Sequence, residues 1–514
     1  MKIKPYLCNQ KVKSKVKIMA TFKPSKYQRA VYQFIKSCKG NAVVEAVAGS
    51  GKSTTIVNAI SIIPDGKQIL FLAFNKSIVM ELQRKVGAKT GCDIRTLHSL
   101  GAKQMMYYYH SEIDDVKYKS HFNKGIEQGI YHMSDDNFGP DAKEDWKKNI
   151  MKLIDLGRVN LCNSISEIDD VAFKFQLFIV DNECEIAWKI IQWGIGHPET
   201  IDFTDMIFLP VVLNVRMWQY DWVFIDECQD LNAAQRELFL KCVKPRTGRF
   251  IAVGDSRQSI YGFSGADAFS FAKLKAIPHT AKLPLSICYR CDKDIIQLAK
   301  QDVPQIEAKD GAENGIVEGN ASIKDVRDGD MILCRVSAPL IKLCIQYIAS
   351  GVKAYVKGRD IGVNLINMIK KTKKRNIADC FVCFDKELAR IDERIIKKTH
   401  CKPKEVLENE MHTSYSDKVQ AIQILSEGLT TCDEVMIHID EIFKDDNGQG
   451  ICLSTIHKSK GLENDRVFML CEEKMFLKSA MRVEWMAEQE RNLRYVAVTR
   501  AKHYYGIIRD FKME

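Results

Sequence analysis

The sequence contains no apolar run long enough to cross a membrane, and its first residues lack the apolar core of a secretory signal. A membrane-spanning helix needs about 20 consecutive, mostly apolar residues. A signal peptide needs an apolar segment of roughly 7–15 residues. Both absences predict a protein without a membrane or secretory role.

The sequence also lacks the paired knuckles of a usual zinc site. Cys380 and Cys383 have the spacing of one half of such a site, but His400 and Cys401 do not form the usual second half. The 17 cysteines are scattered and lie mostly inside apolar runs, as small buried side chains do in a reducing compartment. We therefore predict that they pack in the core, including the Cys-x-x-Cys pair at 288–291, and that the protein is cytoplasmic or nuclear.

A strong excess of one charge is absent as well. Lysine and arginine number 76 and aspartate and glutamate 66, which leaves a formal charge of +10 on a chain with 28% charged residues. This balance suits a polyanionic partner without requiring one. Residues 1–18 are rich in lysine and contain no acidic residue. We expect a flexible basic tail over 1–19, which is either a solvated extension, an upstream start before Met19, or a source of nonspecific phosphate contacts.

The segment 43–55 carries the pattern of a phosphate-binding loop. Residues 42–44 are typical of a buried strand and 53–60 of a helix start, with a glycine-rich turn between them. Such a turn points consecutive N–H groups at one anion, and the helix N-terminus adds to the attraction. Lys52 would neutralise the β and γ oxygens of a polyphosphate, and Ser53 would ligate Mg²⁺. The segment therefore predicts a nucleotide with Mg²⁺; the alternative is a plain glycine turn.

Two adjacent carboxylates, Asp226 and Glu227, follow the apolar segment 222–225, which predicts a strand. Two acidic residues at the carboxyl end of a buried strand are costly unless they are used. Asp226 would hold Mg²⁺ and Glu227 would activate the attacking water in phosphoryl transfer. The alternative is an acidic helix N-cap, which explains one carboxylate better than two.

Apolar runs alternate with helical patterns along much of the chain, which predicts parallel α/β sheets. Residues 68–74 indicate a strand, a helix follows, and 96–99 closes a further strand. From about 101 to 201 the pattern is helical and rich in aromatic residues, as in an inserted subdomain. A second sheet begins near Lys282 and is interrupted between 361 and 450 by a charged, helical stretch. With 514 residues, two to four domains are expected.

Ten short segments follow one another in a recognisable order between Gln28 and Lys502. They are Gln28, 46–53, 73–76, 96–99, 202–206, 225–230, 254–263, 289–290, 455–463 and 495–501. In this ordered set the chain resembles the UvrD/Rep-like branch of superfamily 1 DNA helicases.

The resemblance implies two RecA-like P-loop NTPase domains of the α/β class, each with an inserted, mostly α-helical subdomain, and ATP in the cleft between them. The expected boundaries are 20–104 and 206–280 for the first RecA-like domain, 105–205 for its helical insertion, 281–362 and 447–514 for the second RecA-like domain, and 363–446 for its short helical insertion.

The resemblance also implies a role for each matching position. Gln258 would sense the γ-phosphate, and Arg290 and Arg500 would act as arginine fingers, beside Lys52, Asp226 and Glu227. Gln28 would pair with adenine, Tyr289 would stack on it, and Glu463 would bond the ribose. The nucleotide-binding positions are Gln28, Ala48, Gly49, Ser50, Gly51, Lys52, Ser53, Thr54, Tyr289 and Glu463, with Ser53 and Asp226 on the metal. The expected single-stranded DNA contacts are Phe74, Asn75, Thr96, His98, Tyr261, Phe263 and His457.

The chain departs from the family pattern at several positions. Ala46 replaces the first glycine of the phosphate loop, and Thr54 stands where many members have an arginine that covers adenine. Phe263 and Ser264 replace the common Trp-Arg, which weakens the expected grip on DNA, and Asn464 replaces the usual phenylalanine. The second insertion is short, so duplex contacts assigned to it in the family are not carried over.

These features predict an ATP-driven translocase and helicase on single-stranded DNA and on junctions with duplex, using ATP and Mg²⁺. The resemblance implies that it moves with 3′ to 5′ polarity. Replication, repair or recombination is the expected setting, together with proteins of those processes. The alternatives are a translocase that displaces proteins from DNA, a motor on RNA, and a nucleotide-binding scaffold subunit without turnover.

Overall fold

The computed structural model describes most of the chain. The described residues are 23–37, 39–73, 76–86, 91–133, 140–175, 177, 179, 181–260, 270–399, 402–407, 409–443, 449–476, 481 and 484–512. Four predicted DNA contacts, Phe74, Asn75, Tyr261 and Phe263, lie outside these residues, as does the predicted tail 1–19.

The strands within the described residues form two large sheets and two short pairs. In chain order they are β1 (Asn41–Ala46), β2 (Ile69–Leu72), β3 (Cys92–Arg95), β4 (Glu112–Ile113), β5 (Thr200–Ile201), β6 (Trp222–Ile225), β7 (Arg249–Gly254), β8 (Thr280–Leu285), β9 (Ile287–Cys288), β10 (Glu307–Ala308), β11 (Ile316–Ala321), β12 (Met331–Cys334), β13 (Ala354–Lys357), β14 (Ile451–Thr455), β15 (Asn464–Met469) and β16 (Ala501–Ile508).

The α-helices are spread along the whole described chain, and none of them is long and apolar enough to cross a membrane. They are α1 (Lys26–Ser37), α2 (Lys52–Ser61), α3 (Lys76–Val86), α4 (Leu97–Tyr109), α5 (Lys117–Glu127), α6 (Pro140–Asn160), α7 (Ile165–Lys174), α8 (Glu183–Gly196), α9 (Asp205–Val212), α10 (Ala233–Lys241), α11 (Ser270–Lys275), α12 (Lys293–Ala299), α13 (Ala338–Ala349), α14 (Arg359–Thr372), α15 (Ile377–Thr399), α16 (Pro403–Val406), α17 (Glu410–Leu425), α18 (Cys432–Ile442) and α19 (Glu484–Val498).

The first large sheet has the strand order β3-β2-β6-β7-β1-β8, and all neighbours are parallel. Every residue of β2 and β6 is buried. Alternate residues of these two strands enter separate apolar clusters, one on each face, as expected for a parallel sheet covered by helices on both sides. The predicted α/β class is therefore confirmed.

The first sheet extends further along the chain than predicted. The predicted boundary at 280/281 is wrong, because β8 pairs with β1 from Asn41 opposite Thr280 to Ala46 opposite Leu285. The strand is an edge strand that includes Lys282 and Pro284 and is only partly buried. Such a strand lacks the continuous apolar run of a central strand. Its place in the first sheet therefore could not be predicted from an apolar pattern.

The first helical insertion is continuous with the sheet domain at its entry. Helix α4 runs through the predicted boundary at 104/105, and its apolar cluster extends from Ala102 to Val215. Gly101 lets α4 approach α9 closely, since a Cβ there would lie 1.8 Å from the Met206 carbonyl oxygen. The insertion is therefore anchored by the helix that leaves β3.

The second large sheet has the order β11-β16-β15-β12-β14-β13, again with parallel neighbours. Its central strands β12 and β14 lie on either side of the interruption expected between 361 and 450. The edge strand β11 was not predicted, because five of its six residues are exposed. The sheet nevertheless matches the expected second α/β unit.

The short second insertion packs mainly against the second sheet, and only a small separate cluster of Ile391, Ile395 and Val406 lies within its described residues. Residues of α14, α15, α17 and α18 share one apolar cluster with β12, β14 and α13 of the second sheet. Helix α14 begins at Arg359, four residues before the predicted boundary at 363. The insertion is thus packed against the second sheet as an extra helical layer.

Candidate functional site

The phosphate-binding loop lies between β1 and α2 and is closed against the second domain. Gly49 and Gly51 have φ angles of +66° and +76°, which favour glycine. A Cβ at Gly49 would lie 2.7 Å from Arg290 Cβ and 2.9 Å from Cys288 Sγ. The Tyr289 N–H donates to the Gly49 carbonyl oxygen at 2.9 Å. The glycine pattern is therefore needed both for the turn and for the close approach of the segment after β9.

Lys52 at the start of α2 points at the acidic end of β6. Its Nζ lies 2.7 Å from Glu227 Oε1. Burial alone would lower the pKa of Lys52, but the carboxylates of Glu227, Asp226 and Asp255 raise it above its ordinary value. The ammonium group is therefore held in its charged form beside three carboxylates.

The two adjacent carboxylates at the end of β6 have different electrostatic surroundings. Burial and the neighbouring Glu227 raise the pKa of Asp226 to about 6. Burial would also raise the pKa of Glu227, but Lys52 and Lys460 lower it to about 2. Glu227 precedes the 3₁₀ turn Cys228–Asp230, and its side chain does not cap that turn. The alternative of an acidic N-cap is therefore wrong for Glu227.

Gln258 is tied to a buried carboxylate that the sequence did not single out. Its Nε2 donates to Asp255 Oδ2 at 2.7 Å. Asp255 follows β7, and burial raises the pKa of its carboxyl to about 6. Gln229 Oε1 accepts from the Asp255 N–H at 3.0 Å, and Gln229 Nε2 donates to Glu227 Oε2 at 2.6 Å. A continuous hydrogen-bonded chain thus joins Gln258 to the acidic pair.

Groups from the second domain enter this network directly. Lys460 Nζ lies 2.5 Å from Asp230 Oδ2 and donates to the Gln258 carbonyl oxygen at 2.8 Å. The Ala48 N–H of the phosphate loop donates to the Tyr495 hydroxyl at 2.8 Å. Lys460 and Tyr495 lie in segments matched by the resemblance, but their roles were not predicted.

The two predicted arginine fingers have different positions. Arg290 Nε lies 2.7 Å from Glu463 Oε2, and Arg290 Nη1 donates to the Thr499 carbonyl oxygen at 3.0 Å. Arg500 is buried, and its Nε and Nη1 donate to the carbonyl oxygens of Val496 and Leu462 at 2.9 Å each. Burial and the nearby Arg290 lower the pKa of Arg500 to about 10. Arg290 is thus beside the phosphate loop, whereas the Arg500 guanidinium is bonded within its own domain.

The residues predicted to hold the base border the start of α2, with Gln28 in α1 and Tyr289 directly after β9. Gln28 Nε2 donates to Thr55 Oγ1 at 3.0 Å, and its Oε1 accepts from the Ser25 N–H at 3.0 Å. A Cβ at Gly51 would lie 3.7 Å from Gln28 Nε2 and 3.9 Å from Tyr289 Cδ2, so these side chains border one space. Pairing of Gln28 with adenine stays a prediction, and it requires exchange of these two hydrogen bonds.

Three further predicted nucleotide contacts, Ser53, Thr54 and Glu463, differ in exposure and in their partners. Thr54 is exposed, whereas Ser53 is partly buried beside Lys52. Glu463 pairs with Arg290 and lies 3.5 Å from Lys502 Nζ. The ribose contact of Glu463 therefore stays a prediction. A ribose hydroxyl would compete with Arg290 and Lys502 for the Glu463 carboxylate.

The residues of this cleft fit a magnesium-bound nucleoside triphosphate. Ser50 Oγ is buried and has no hydrogen-bond partner among the described residues, as expected of a donor reserved for a ligand. Asp226 and Ser53 offer two oxygen ligands. Within the described ranges no group of three or more His, Cys, Asp or Glu residues is placed to bind a metal. Mg²⁺ is typically held by one or two protein groups together with phosphate oxygens.

The described DNA positions of the first domain lie at the start of α4. The prediction that 96–99 closes a strand is wrong, since β3 ends at Arg95 and Thr96 Oγ1 caps α4 by accepting from the Ser99 N–H. His98 stacks on Phe203 with ring centroids 3.8 Å apart. Burial lowers the pKa of His98 to about 4, so the ring is neutral at pH 7.

Phe203 was not predicted, although it lies between two acidic residues in the matched segment 202–206. Its side chain is 59% exposed beside His98. Arg158 holds the flanking Asp202 and Asp205 with Nη1–Oδ1 distances of 2.7 and 2.9 Å. Lys117 Nζ adds a contact of 2.9 Å to Asp205. The available sequence signal for this base-stacking candidate was an aromatic residue next to Asp202 inside a matched segment.

The remaining described DNA position, His457, follows β14 of the second sheet. It is partly buried, and burial together with Arg335 and Lys458 lowers its pKa to about 3. Its ring is therefore neutral at pH 7, like that of His98. A DNA contact at His457 stays a prediction.

Comparison with known proteins agrees with this geometry. The family model described as the UvrD/REP helicase N-terminal domain matches residues 27–278. The UvrD-like helicase C-terminal domain matches residues 340–509. Together these two matches cover most of the chain, and they include the phosphate loop, the acidic pair, Lys460 and Tyr495.

Curated proteins that are similar to this chain include ATP-dependent DNA helicases. An ATP-dependent DNA helicase Rep of Buchnera aphidicola subsp. Baizongia pistaciae is 25% identical over 306 residues, which is 54% of this chain and 42% of the relative. An ATP-dependent DNA helicase PcrA of Staphylococcus epidermidis is 24% identical over 293 residues, 52% of this chain and 38% of the relative. The chain thus aligns with less than half the length of these relatives. From the two domain matches and the cleft they share, the chain belongs to the UvrD/Rep-like family of helicases.

Proposed function

We propose that this protein hydrolyses ATP, with Mg²⁺, to move 3′ to 5′ along single-stranded DNA and to unwind duplex DNA at junctions. The observation that carries the proposal is the ion pair of Lys52 with Glu227, surrounded by groups from both domains. From the second domain, Lys460 contacts Asp230 beside this pair. Tyr495 contacts the phosphate loop at Ala48, and Arg290 lies against it at Gly49. A cleft of this kind can convert nucleotide binding into domain movement.

The hydrolysis step is assigned to residues of the first domain. Lys52 leaves Glu227 to neutralise the β and γ oxygens of ATP. Glu227 loses the cation that lowers its pKa, and so becomes a stronger base for the attacking water. Asp226 and Ser53 would hold Mg²⁺, which stabilises the charge that develops on the phosphates.

Groups of the second domain complete the charge stabilisation. Arg290 leaves Glu463 to contact the γ-phosphate, and Tyr289 covers the base. Arg500 acts through the position of the α19–β16 segment, since its guanidinium is bonded to backbone carbonyls. Its direct role as a finger requires release from those carbonyls.

Coupling to DNA is assigned to the segment after Gln258. Phe263 follows Gln258 by five positions, and such a chain spans at most about 18 Å. Gln258 contacts Asp255 through its side chain and Lys460 through its carbonyl oxygen. A change at the γ-phosphate can therefore reach bases held by Tyr261 and Phe263, with replication and repair proteins as candidate partners.

The test is ATP hydrolysis with and without single-stranded DNA, and with RNA of the same sequence. The proposal predicts strong stimulation by DNA, and none in Lys52→Ala. Lys36→Ala, which removes an exposed lysine from α1, is the matched control and keeps wild-type turnover. Equal stimulation by RNA would favour the motor on RNA, and nucleotide binding without turnover would favour the scaffold subunit.

A further inference from the structure

Two cysteines flank the residues that approach the phosphate loop from the second domain. Cys288 ends β9, Cys291 follows Arg290, and the two side chains are 0% and 1% exposed. The Cys291 N–H points at Cys288 Sγ at 3.5 Å. The chain therefore turns back on the Cys288 thiol, with Tyr289 and Arg290 at the turn.

The two thiols contact the supports of the nucleotide site. Cys288 Sγ would lie 2.9 Å from a Cβ at Gly49, so it packs directly under the phosphate loop. Cys291 Sγ donates to the Thr499 carbonyl oxygen at 3.8 Å. The same oxygen accepts from Arg290 Nη1 at 3.0 Å. A change at either sulfur therefore reaches the loop or the arginine.

The surroundings divide the two thiols into an attacking and a resolving group. The Cys291 thiol and N–H hold the pKa of Cys288 down to about 7, against the effect of burial. The neighbouring Cys288 and burial raise the pKa of Cys291 well above its ordinary value. The Cys-x-x-Cys spacing and the lowered thiol pKa are shared with reactive dithiols. Both thiols are buried, and Cys288 lies against Gly49, so the reaction requires this segment to separate from the phosphate loop and admit the oxidant.

We propose that Cys288 and Cys291 form a reversible disulfide that disables the nucleotide site, with hydrogen peroxide as the oxidant. The functional part of this inference rests on the proposed ATP hydrolysis. The Cys288 thiolate attacks a peroxide oxygen, so that an S–O bond forms, the O–O bond breaks and, with one proton, water leaves. Cys291 then attacks the sulfenic sulfur, so that the S–S bond forms and a second water leaves with the Cys291 proton.

The disulfide would change the geometry of the cleft. Bond formation brings the sulfurs to about 2.05 Å and withdraws Cys291 Sγ from the Thr499 carbonyl oxygen. Tyr289 and Arg290 lie inside the closed ring and move with it. Displacement of a catalytic group by about 1 Å can cost up to 10²-fold in rate, so we expect a loss of about tenfold or more.

A second cysteine pair provides a control elsewhere in the protein. Cys380 Sγ and Cys432 Sγ are 3.4 Å apart and buried between α15 and α18, in the second insertion. Neither cysteine belongs to the nucleotide cleft. Oxidation of this pair would tie two helices together without changing Tyr289 or Arg290.

The experiment treats the reduced full chain with limiting hydrogen peroxide, alkylates the remaining thiols and maps linked peptides by mass spectrometry. Affinity for a fluorescent ATP analogue and ATP hydrolysis are measured before oxidation, after it, and after dithiothreitol. We expect a 288–291 link, a drop of about tenfold or more in hydrolysis, and recovery on reduction. Cys288→Ala should keep its hydrolysis under peroxide, and the double variant Cys380→Ala/Cys432→Ala should remain sensitive.

Absence of a 288–291 link at full oxidation of the other thiols would overturn the inference. So would a link that changes neither affinity nor hydrolysis, or equal peroxide sensitivity in Cys288→Ala. If the reduced protein lacked hydrolysis, the proposed function would fail by itself. The peptide map and the affinity for the ATP analogue would then still decide the disulfide.

Discussion

Lys52 Nζ lies 2.7 Å from Glu227 Oε1, so the cation that would bind phosphate rests on the carboxylate that would activate water. Each group lowers the electrostatic cost of the other's burial, and each must be released for hydrolysis. The pair therefore couples arrival of the phosphates to activation of the base. A variant of Lys52 therefore loses the cation for the phosphates, whereas a variant of Glu227 loses the base for the attacking water. We expect different effects from the two substitutions.

Glu227→Gln should bind ATP at least as tightly as the wild type and hydrolyse it about 10²–10⁴-fold more slowly, since only the general base is lost. Lys52→Ala should lose affinity as well, because it removes the cation for the phosphates. Titration with a fluorescent ATP analogue, followed by single-turnover hydrolysis, separates the two effects. Wild-type hydrolysis by Glu227→Gln at saturating DNA would show that another group is the base.

Lys460→Met should damage both stability and ATP turnover. Its loss leaves Asp230 buried without its lysine partner, and Asp230 Oδ1 already has no hydrogen bond within the described chain. Removal of one partner of a buried pair costs about 3–5 kcal/mol. Thermal unfolding and ATPase assays check both losses.

The double variant Lys460→Met/Asp230→Asn is the control for that prediction. It removes the unpaired charge and should recover most of the melting temperature, but not the turnover. A turnover that recovers together with stability would mean that the ion pair is only structural.

His98 should make the stability depend on pH. Its pKa is about 4 in the folded protein and 6.5 in the unfolded chain, so the unfolded state binds the proton more tightly. Its contribution is present above pH 6.5 and is lost as pH falls towards 4. At pH 5 the loss is on the order of 1–2 kcal/mol.

The measurement is the melting temperature of wild type and His98→Gln between pH 7.5 and pH 5. His457 has a pKa shift in the same direction, so the comparison with the variant is needed to isolate His98. The wild type should lose more stability than His98→Gln as pH falls. If the melting temperatures of the wild type and the variant fell in parallel with pH, the pKa of His98 would not be lowered in the folded protein.

Phe203→Ala should weaken single-stranded DNA binding by about 1–3 kcal/mol, the usual contribution of one stacked base. The slope of affinity against salt concentration should stay unchanged, because no phosphate contact is lost. Phe173→Ala is a matched control, since Phe173 is 82% exposed on α7 of the same insertion. Fluorescence anisotropy at several salt concentrations is the measurement, and an equal effect of both variants would argue against stacking on Phe203.

Local patterns were sufficient for the parts of the site that lie within one short segment. The phosphate loop and the acidic pair combine strand, turn and charge within a few residues, so Lys52, Asp226 and Glu227 could be predicted as site residues from the sequence alone. Partners across the cleft leave no such pattern. Ala48 and Tyr495 are 447 positions apart, and Asp230 and Lys460 are 230 apart.

The expectations that differed from the structure concern side-chain environment. Arg500 matched a motif, but burial and backbone carbonyls hold its guanidinium inside the second domain. The expected boundaries placed most of β8 in the second domain, although it pairs with β1 of the first sheet. An edge strand with lysine and proline lacks the apolar pattern of a buried strand. Burial and pairing of this kind depend on the whole fold, and a single sequence does not encode them locally.

Strand displacement is the most direct test of duplex unwinding driven by ATP hydrolysis. A duplex with a 3′ single-stranded tail and a duplex with a 5′ tail are compared with ATP, with a non-hydrolysable analogue, and with Glu227→Gln in place of the wild type. We predict that only the 3′-tailed duplex is unwound, and only by the wild type with ATP. Unwinding that persists with the analogue or with Glu227→Gln, or no unwinding of either duplex with ATP, would contradict it.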